Sequence, residues 1–130
     1  MNPAARPDVA AAVRRGARYF NRGRYLLAQQ AWEAVWHDAT PEDRGFLEGL
    51  IQIAGGLHLH ARQSGTRSAV HLLSQALITL EDYRPAAYGI DVEALVADAD
   101  AFVGWLKRGG QPEPTVGPLG RPRLRPAKEP

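Results

Sequence analysis

Glu33 is the acid with the most chemical context in this chain. It lies one residue from Trp32 and three from Trp36. A carboxylate held against indoles can have its pKa raised by burial, which suits general acid or base work. Arg44 supplies a nearby positive charge in sequence, and Gln52 sits among apolar residues of the next helical pattern. Glu33, Trp36, Arg44 and Gln52 are therefore one candidate pocket, between helices two and three, of a small metal- or acid/base-dependent hydrolase or a ligand-binding protein. The same residues also suit a structural network. There Glu33 accepts from Arg44 or an indole N–H, and the polar contacts fix helix register. The residues favour the structural network.

The four histidines do not make a metal site. His58 and His60 are two apart on a helical pattern, so they point roughly 200° away from each other. A histidine pair at i, i+4 with a carboxylate is absent, and no metal or cofactor is expected. Arg14, Arg18 and Arg22 recur at i, i+4 and i+8, with Arg15 beside them. Like charges at that spacing repel by a few tenths of a kcal/mol, about 0.2–0.5 per pair. They form a candidate anion-binding stripe, facing either acids of neighbouring helices or phosphates. No aromatic residues interleave with them to stack bases, and no recognition-helix spacing stands out. Nucleic-acid backbone binding is thus the weaker alternative. No nucleophile elbow, phosphate loop or dinucleotide fingerprint is present.

Five helices must position these groups. Pro7 suits a first helical position, after which Val9, Val13, Ala17 and Phe20 repeat at helical spacing. Asn21-Arg22-Gly23 supplies a turn. A second helix follows from about Arg24 to His37, burying Tyr25, Ala28, Trp32, Val35 and Trp36. Thr40-Pro41-Glu42-Asp43 reads as an N-cap, a first-turn proline and two acids that complement the helix dipole. The third helix runs from Pro41 to about Gln63, and its wide apolar stripe predicts a central element. Gly55 and Gly56 within it predict close helix approach. Ser64-Gly65-Thr66 ends that helix and caps a fourth, which Tyr83-Arg84-Pro85 breaks. Asp91 caps a fifth, stopped at Gly109-Gly110. No strand-like alternation with hairpin turns is evident. Prolines at 112, 114, 118, 122, 126 and 130 predict an extended or disordered tail of polyproline II character. The fold class is all-α: a helical bundle domain over residues 1–110, its third helix central, and a flexible Pro/Arg-rich tail over 111–130.

The composition sets further bounds. With 130 residues and 45% hydrophobic content, the chain can bury one core without staples. The absence of cysteine excludes disulfides and thiolate metal sites. The N-terminus lacks the apolar core of a signal peptide, and no window reaches the roughly 18–20 apolar residues of a membrane span. A cytoplasmic protein with no membrane association is expected. The net charge of +2 is unevenly spread. Residues 1–25 carry six arginines against Asp8 alone, whereas residues 26–110 carry eleven acids against six bases.

Phe20-Asn21-x-Gly23-x-Tyr25, then Ala28, Glu33 and Trp36, then Arg44, Phe46 and Gly49-Leu50-Ile51-Gln52 resemble the small helical family catalogued as domain of unknown function 309. The resemblance covers about residues 18–82. It implies a compact helical bundle and no established reaction or cofactor. One departure stands out. The family's Glu-Ala-His-Glu-like run is here Leu27, Ala28, Gln29 and Gln30, which removes three ionisable positions. The function expected from the whole reading is a non-catalytic interaction module with a protein partner or self-association as a homodimer.

Overall fold

The computed structural model describes residues 8–63, 65–109 and 121–128. Five helices, α1 (Val9–Asn21), α2 (Tyr25–Trp36), α3 (Pro41–Ala61), α4 (Thr66–Leu80) and α5 (Val92–Lys107), form an all-α bundle. Each packs against the next, and α3 lies between α2 and α4. A 3-10 turn, Glu81–Tyr83, and a short hairpin, β1 (Ala86–Ala87) and β2 (Ile90–Asp91), connect α4 to α5. No helix among the described residues is long and apolar enough to cross a membrane.

The helix boundaries follow local chemistry. Thr40 Oγ1 accepts from the Asp43 N–H at 3.2 Å, and Pro41 opens α3. Asp91 Oδ1 accepts from the Ala94 N–H at 2.9 Å and starts α5. Gly23 (φ 77°) and Gly109 (φ 74°) close α1 and α5 in the left-handed region that a side chain disfavours. Helix α1 begins at Val9, with Asp8 Oδ1 accepting from the Ala11 N–H at 2.9 Å; Pro7 lies outside the described residues. Helix α4 takes Gly65, within the expected Ser64-Gly65-Thr66 stretch, as its N-cap with no side-chain bond, and Thr66 is its first residue.

Glycines set how closely the helices approach. A Cβ on Gly49 would lie 2.5 Å from Leu80 Cδ2, and one on Gly56 would lie 2.8 Å from Leu73 Cγ. The two glycines are seven residues apart on α3, and the two leucines seven apart on α4. Two turns of the antiparallel pair thus interlock in register, each leucine filling the notch of a missing methyl. Gly55 has no such role, since its Cβ would make ordinary contacts at 3.5 Å and 3.6 Å. The expected close approach therefore rests on Gly56. On the other side of the bundle, a Cβ on Gly16 would overlap the Trp32 indole. Trp32 is fully buried, and its Nε1–H has no hydrogen-bond partner among the described residues. An unsatisfied buried donor costs about 1–3 kcal/mol.

The hairpin was not legible as a strand pattern. Its turn residues, Tyr88 (φ 53°) and Gly89 (φ 75°), both take positive φ, as a two-residue hairpin turn requires. Tertiary contacts hold Tyr88 there. Its ring stacks on Phe46 with centroids 4.6 Å apart, and its hydroxyl donates to the Asp43 carboxylate. Tyr83 flanks the same phenylalanine at 5.3 Å and donates to the Glu42 carbonyl at 2.7 Å. Arg84, just before the hairpin, pairs with Glu81 at 2.9 Å and Glu93 at 2.5 Å, tying the connection to α5.

Residues 121–128 correct the expectation of a flexible tail. They are extended, as the prolines dictate, but they are bound to the bundle. Pro122 and Leu124 are buried, while Arg121 and Arg123 face out. Residues 111–120 lie outside the described residues.

Candidate functional site

The expected pocket is not assembled. Glu33 is exposed on α2, because it lies about 100° around the helix from the buried Trp32. It has no contact with Arg44 or Gln52 among the hydrogen bonds and ion pairs of the described residues. Trp36 and Arg44 do meet, with the guanidinium carbon 5.5 Å from the ring centroid. Arg44 Nε also donates to the Ala39 carbonyl at 3.0 Å, which ties the α2–α3 loop to α3. Gln52 lies two turns further along α3, its Oε1 accepting from the Thr79 hydroxyl of α4 at 3.0 Å. The Glu33–Arg44–Gln52 network is therefore replaced by two separate contacts, Arg44 with Trp36 and Ala39 and Gln52 with Thr79 of α4.

The departing run Leu27-Ala28-Gln29-Gln30 divides similarly. Ala28 is buried, Leu27 and Gln30 are exposed, and Gln29 faces α3 at Gly55. Among the described residues, no three of His, Cys, Asp or Glu gather closely enough to hold a metal ion. His60 packs edge-on against Phe102 at 5.2 Å and Trp105 at 5.7 Å. Burial lowers its pKa below the ordinary 6.5, and the positive charge of Arg121 lowers it further. Arg14, Arg18 and Arg22 are exposed and belong to no ion pair among the described residues.

The residues that do converge are those of Phe20-Asn21-x-Gly23-x-Tyr25. The backbone closes the α1–α2 turn on itself: Arg22 N–H and Arg24 N–H reach the Tyr19 carbonyl at 3.0 and 2.9 Å, and Gly23 N–H reaches Phe20 at 2.9 Å. Phe20 is buried and meets Tyr25 edge-to-face at 5.3 Å and 72°. With both rings turned inward, the Asn21 amide is left at the rim of the turn, where it binds the C-terminal segment. Asn21 Nδ2 donates to the Leu124 carbonyl at 2.8 Å, and the Leu124 N–H donates to Asn21 Oδ1 at 2.8 Å. One side-chain amide thus satisfies both backbone groups of a single residue, as a neighbouring strand would.

Further contacts fix the register of the segment. Arg125 Nη1 pairs with Asp98 Oδ2 of α5 at 2.8 Å, and the same oxygen accepts from Arg123 N–H at 3.3 Å. Asp91 N–H donates to the Arg125 carbonyl and Ala127 N–H to the Gly89 carbonyl, each at 2.9 Å. Ile90 and Pro126 form an isolated antiparallel bridge, so the segment meets the edge of the two-stranded hairpin at β2. Leu124 is only 4% exposed. A cleft of about 360 Å³ remains between Phe20, Asn21, Gly23 and Tyr25 on one side and Arg121 and Pro122 on the other. A Cβ on Gly23 would stand 2.8 Å from Arg121 Nη1. Burial raises the Tyr25 pKa, and Arg121, bonded to its hydroxyl, opposes that rise.

Asn21, Asp98, Pro122 and Leu124 were missed as site residues in the sequence. The available signals were the Phe-Asn-x-Gly-x-Tyr motif itself and the alternation of Pro122, Leu124 and Pro126 with arginines. No curated protein matches the chain. Residues 13–72, from within α1 to the middle of α4, match the family model described as Domain of unknown function (DUF309). That match includes Phe20 to Tyr25 and excludes the segment they hold. Over residues 13–72 the chain is thus similar to the DUF309 family.

Proposed function

We propose that this protein is a non-catalytic interaction module whose groove, between the α1–α2 turn, the hairpin and α5, receives an extended peptide. Its own residues 121–128 occupy the groove, and a protein partner competes for the same place. The observation that carries this reading is the reciprocal pair between the Asn21 amide and the Leu124 backbone. Contacts of this kind take their affinity from the main chain and their selectivity from alternate side chains. Here Leu124 and Pro122 are the buried side chains, and Arg125 sets the register on Asp98. The partner is accordingly an extended segment with a buried leucine-like residue, flanked by proline and arginine. Supplied by a second copy of the chain, the same segment would produce a homodimer. We place the module in the cytoplasm, in keeping with its cysteine-free composition.

The test uses full-length Leu124→Asp, in which a buried charge drives the segment out of the groove. A synthetic peptide of residues 121–128 is titrated into this variant and into wild type, with binding followed by amide shifts in NMR. The variant should bind the peptide with shifts at Asn21, Gly89 and Asp98. Wild type should bind at least tenfold more weakly, because the tethered segment competes at a high effective concentration, on the order of millimolar. Equal binding to both proteins, or binding unaffected by a further Asn21→Ala, would remove the groove from consideration.

A further inference from the structure

A second cleft, of about 510 Å³, opens between α1, the hairpin turn and the seated C-terminal segment. Its walls are apolar: Ala17 of α1, Ile90 of β2, and Leu124 and Pro126 of the segment. Arg14 and Arg18, one helical turn apart on α1, complete the lining. Both are exposed, and neither has a hydrogen bond or ion pair among the described residues. No acid among the described residues lines the cleft. Two like charges therefore stand together over an apolar surface with no acid of the described residues paired to them, an arrangement that an anion relieves.

We infer that this cleft binds a small carboxylic acid with an apolar body, its carboxylate gripped by Arg14 and Arg18. The volume lies in the range of small-molecule sites, roughly 300–1,000 Å³. Arginine suits the head group because its planar fork matches a carboxylate with two parallel hydrogen bonds. The apolar walls distinguish this ligand from a nucleic-acid backbone, which would meet the arginines but leave Ala17, Ile90 and Leu124 uncovered. Arg22, the third member of the stripe, lines the neighbouring cleft at the α1–α2 turn instead and takes no part. Because Leu124 and Pro126 form part of the wall, the site exists only while residues 121–128 are seated. It rests on that seated position and not on binding of any peptide from outside, so the two can fail separately.

The probe is 2-naphthoate, with the neutral 2-naphthalenemethanol as its uncharged counterpart, each titrated into full-length protein at low and high salt by amide-shift NMR. Naphthoate should saturate and shift the amides of Ala17, Ile90 and Leu124. It should weaken in high salt and bind at least tenfold more tightly than the alcohol. Arg14→Gln combined with Arg18→Gln should reduce naphthoate affinity at least tenfold with an unchanged circular dichroism spectrum, since both side chains are exposed. Equal binding of acid and alcohol would overturn the inference. So would arginine-dependent binding of a single-stranded oligonucleotide together with no shift from naphthoate.

Discussion

Replacing Asn21 with alanine removes two hydrogen bonds to Leu124, each 2.8 Å long. At about 1 kcal/mol net per bond, the loss should be about 2 kcal/mol. Leu124→Ala strips a side chain that is 96% removed from solvent. It should cost about 2 kcal/mol, at the low end of buried leucine truncations because the segment can resettle. Independent sites would give about 4 kcal/mol for the pair. These two are not independent. Both act through one event, the seating of residues 121–128, and once the segment has left there is nothing more for the second change to remove. The double variant should therefore fall short of the sum by about 1 kcal/mol or more, within the usual span for residues in contact. Urea unfolding of the four proteins measures this, with midpoints compared at similar slopes. Losses that add to within about 0.5 kcal/mol would refute the reasoning. They would mean that Asn21 stabilises the end of α1 on its own account.

The adjacent glycines of α3 should respond in opposite directions. Gly55→Ala should stabilise by about 0.5–1 kcal/mol through helix propensity, since its new methyl meets only ordinary contacts at 3.5 Å and beyond. Gly56→Ala should destabilise, because its methyl would stand 2.8 Å from Leu73 Cγ and 3.2 Å from the Ala69 carbonyl, an overpacking cost of about 1–3 kcal/mol that outweighs the propensity gain; thermal melts of both distinguish the signs. Burial first and Arg121 second hold the His60 pKa below 6.5. The unfolded chain then takes up this proton before the folded one, so the contribution is present above pH 6.5 and is lost as pH falls through the folded value. His60→Gln should flatten that part of the stability–pH curve, and an unchanged slope would count against it. Glu33→Gln should shift stability by no more than about 0.5 kcal/mol, as for exposed positions generally; a larger loss in urea would restore Glu33 to a buried network.

What could be read from the sequence was local. Thr40 with Asp43, Asp91 with Ala94, and Gly23 carry their capping or turn roles in their own identity and immediate neighbours, and all sit where expected. The helical periods likewise gave five helices with α3 between two neighbours. Tyr88 was not legible, because a tyrosine at positive φ is held by Phe46 and Asp43, which lie more than forty positions away in the chain. The Glu33 pocket failed over rotation about a helix axis. Proximity of Glu33 to Trp32 along the chain places them on different faces. The C-terminal segment shows a third limit. Its prolines dictate an extended backbone, but whether an extended backbone is docked depends on Asn21 and Asp98, which composition does not address.

The Asn21–Leu124 pair joins positions 103 apart in the chain. Closing so long a loop has a high entropic cost before any contact is made. The helical hairpins, whose contacts are between consecutive elements, should form first, and the segment should settle onto a finished bundle. Substitutions in residues 121–128 should then accelerate unfolding while leaving the refolding rate nearly unchanged. On refolding from denaturant, each molecule should thus pass through an interval in which its groove is complete and its own occupant has not yet arrived.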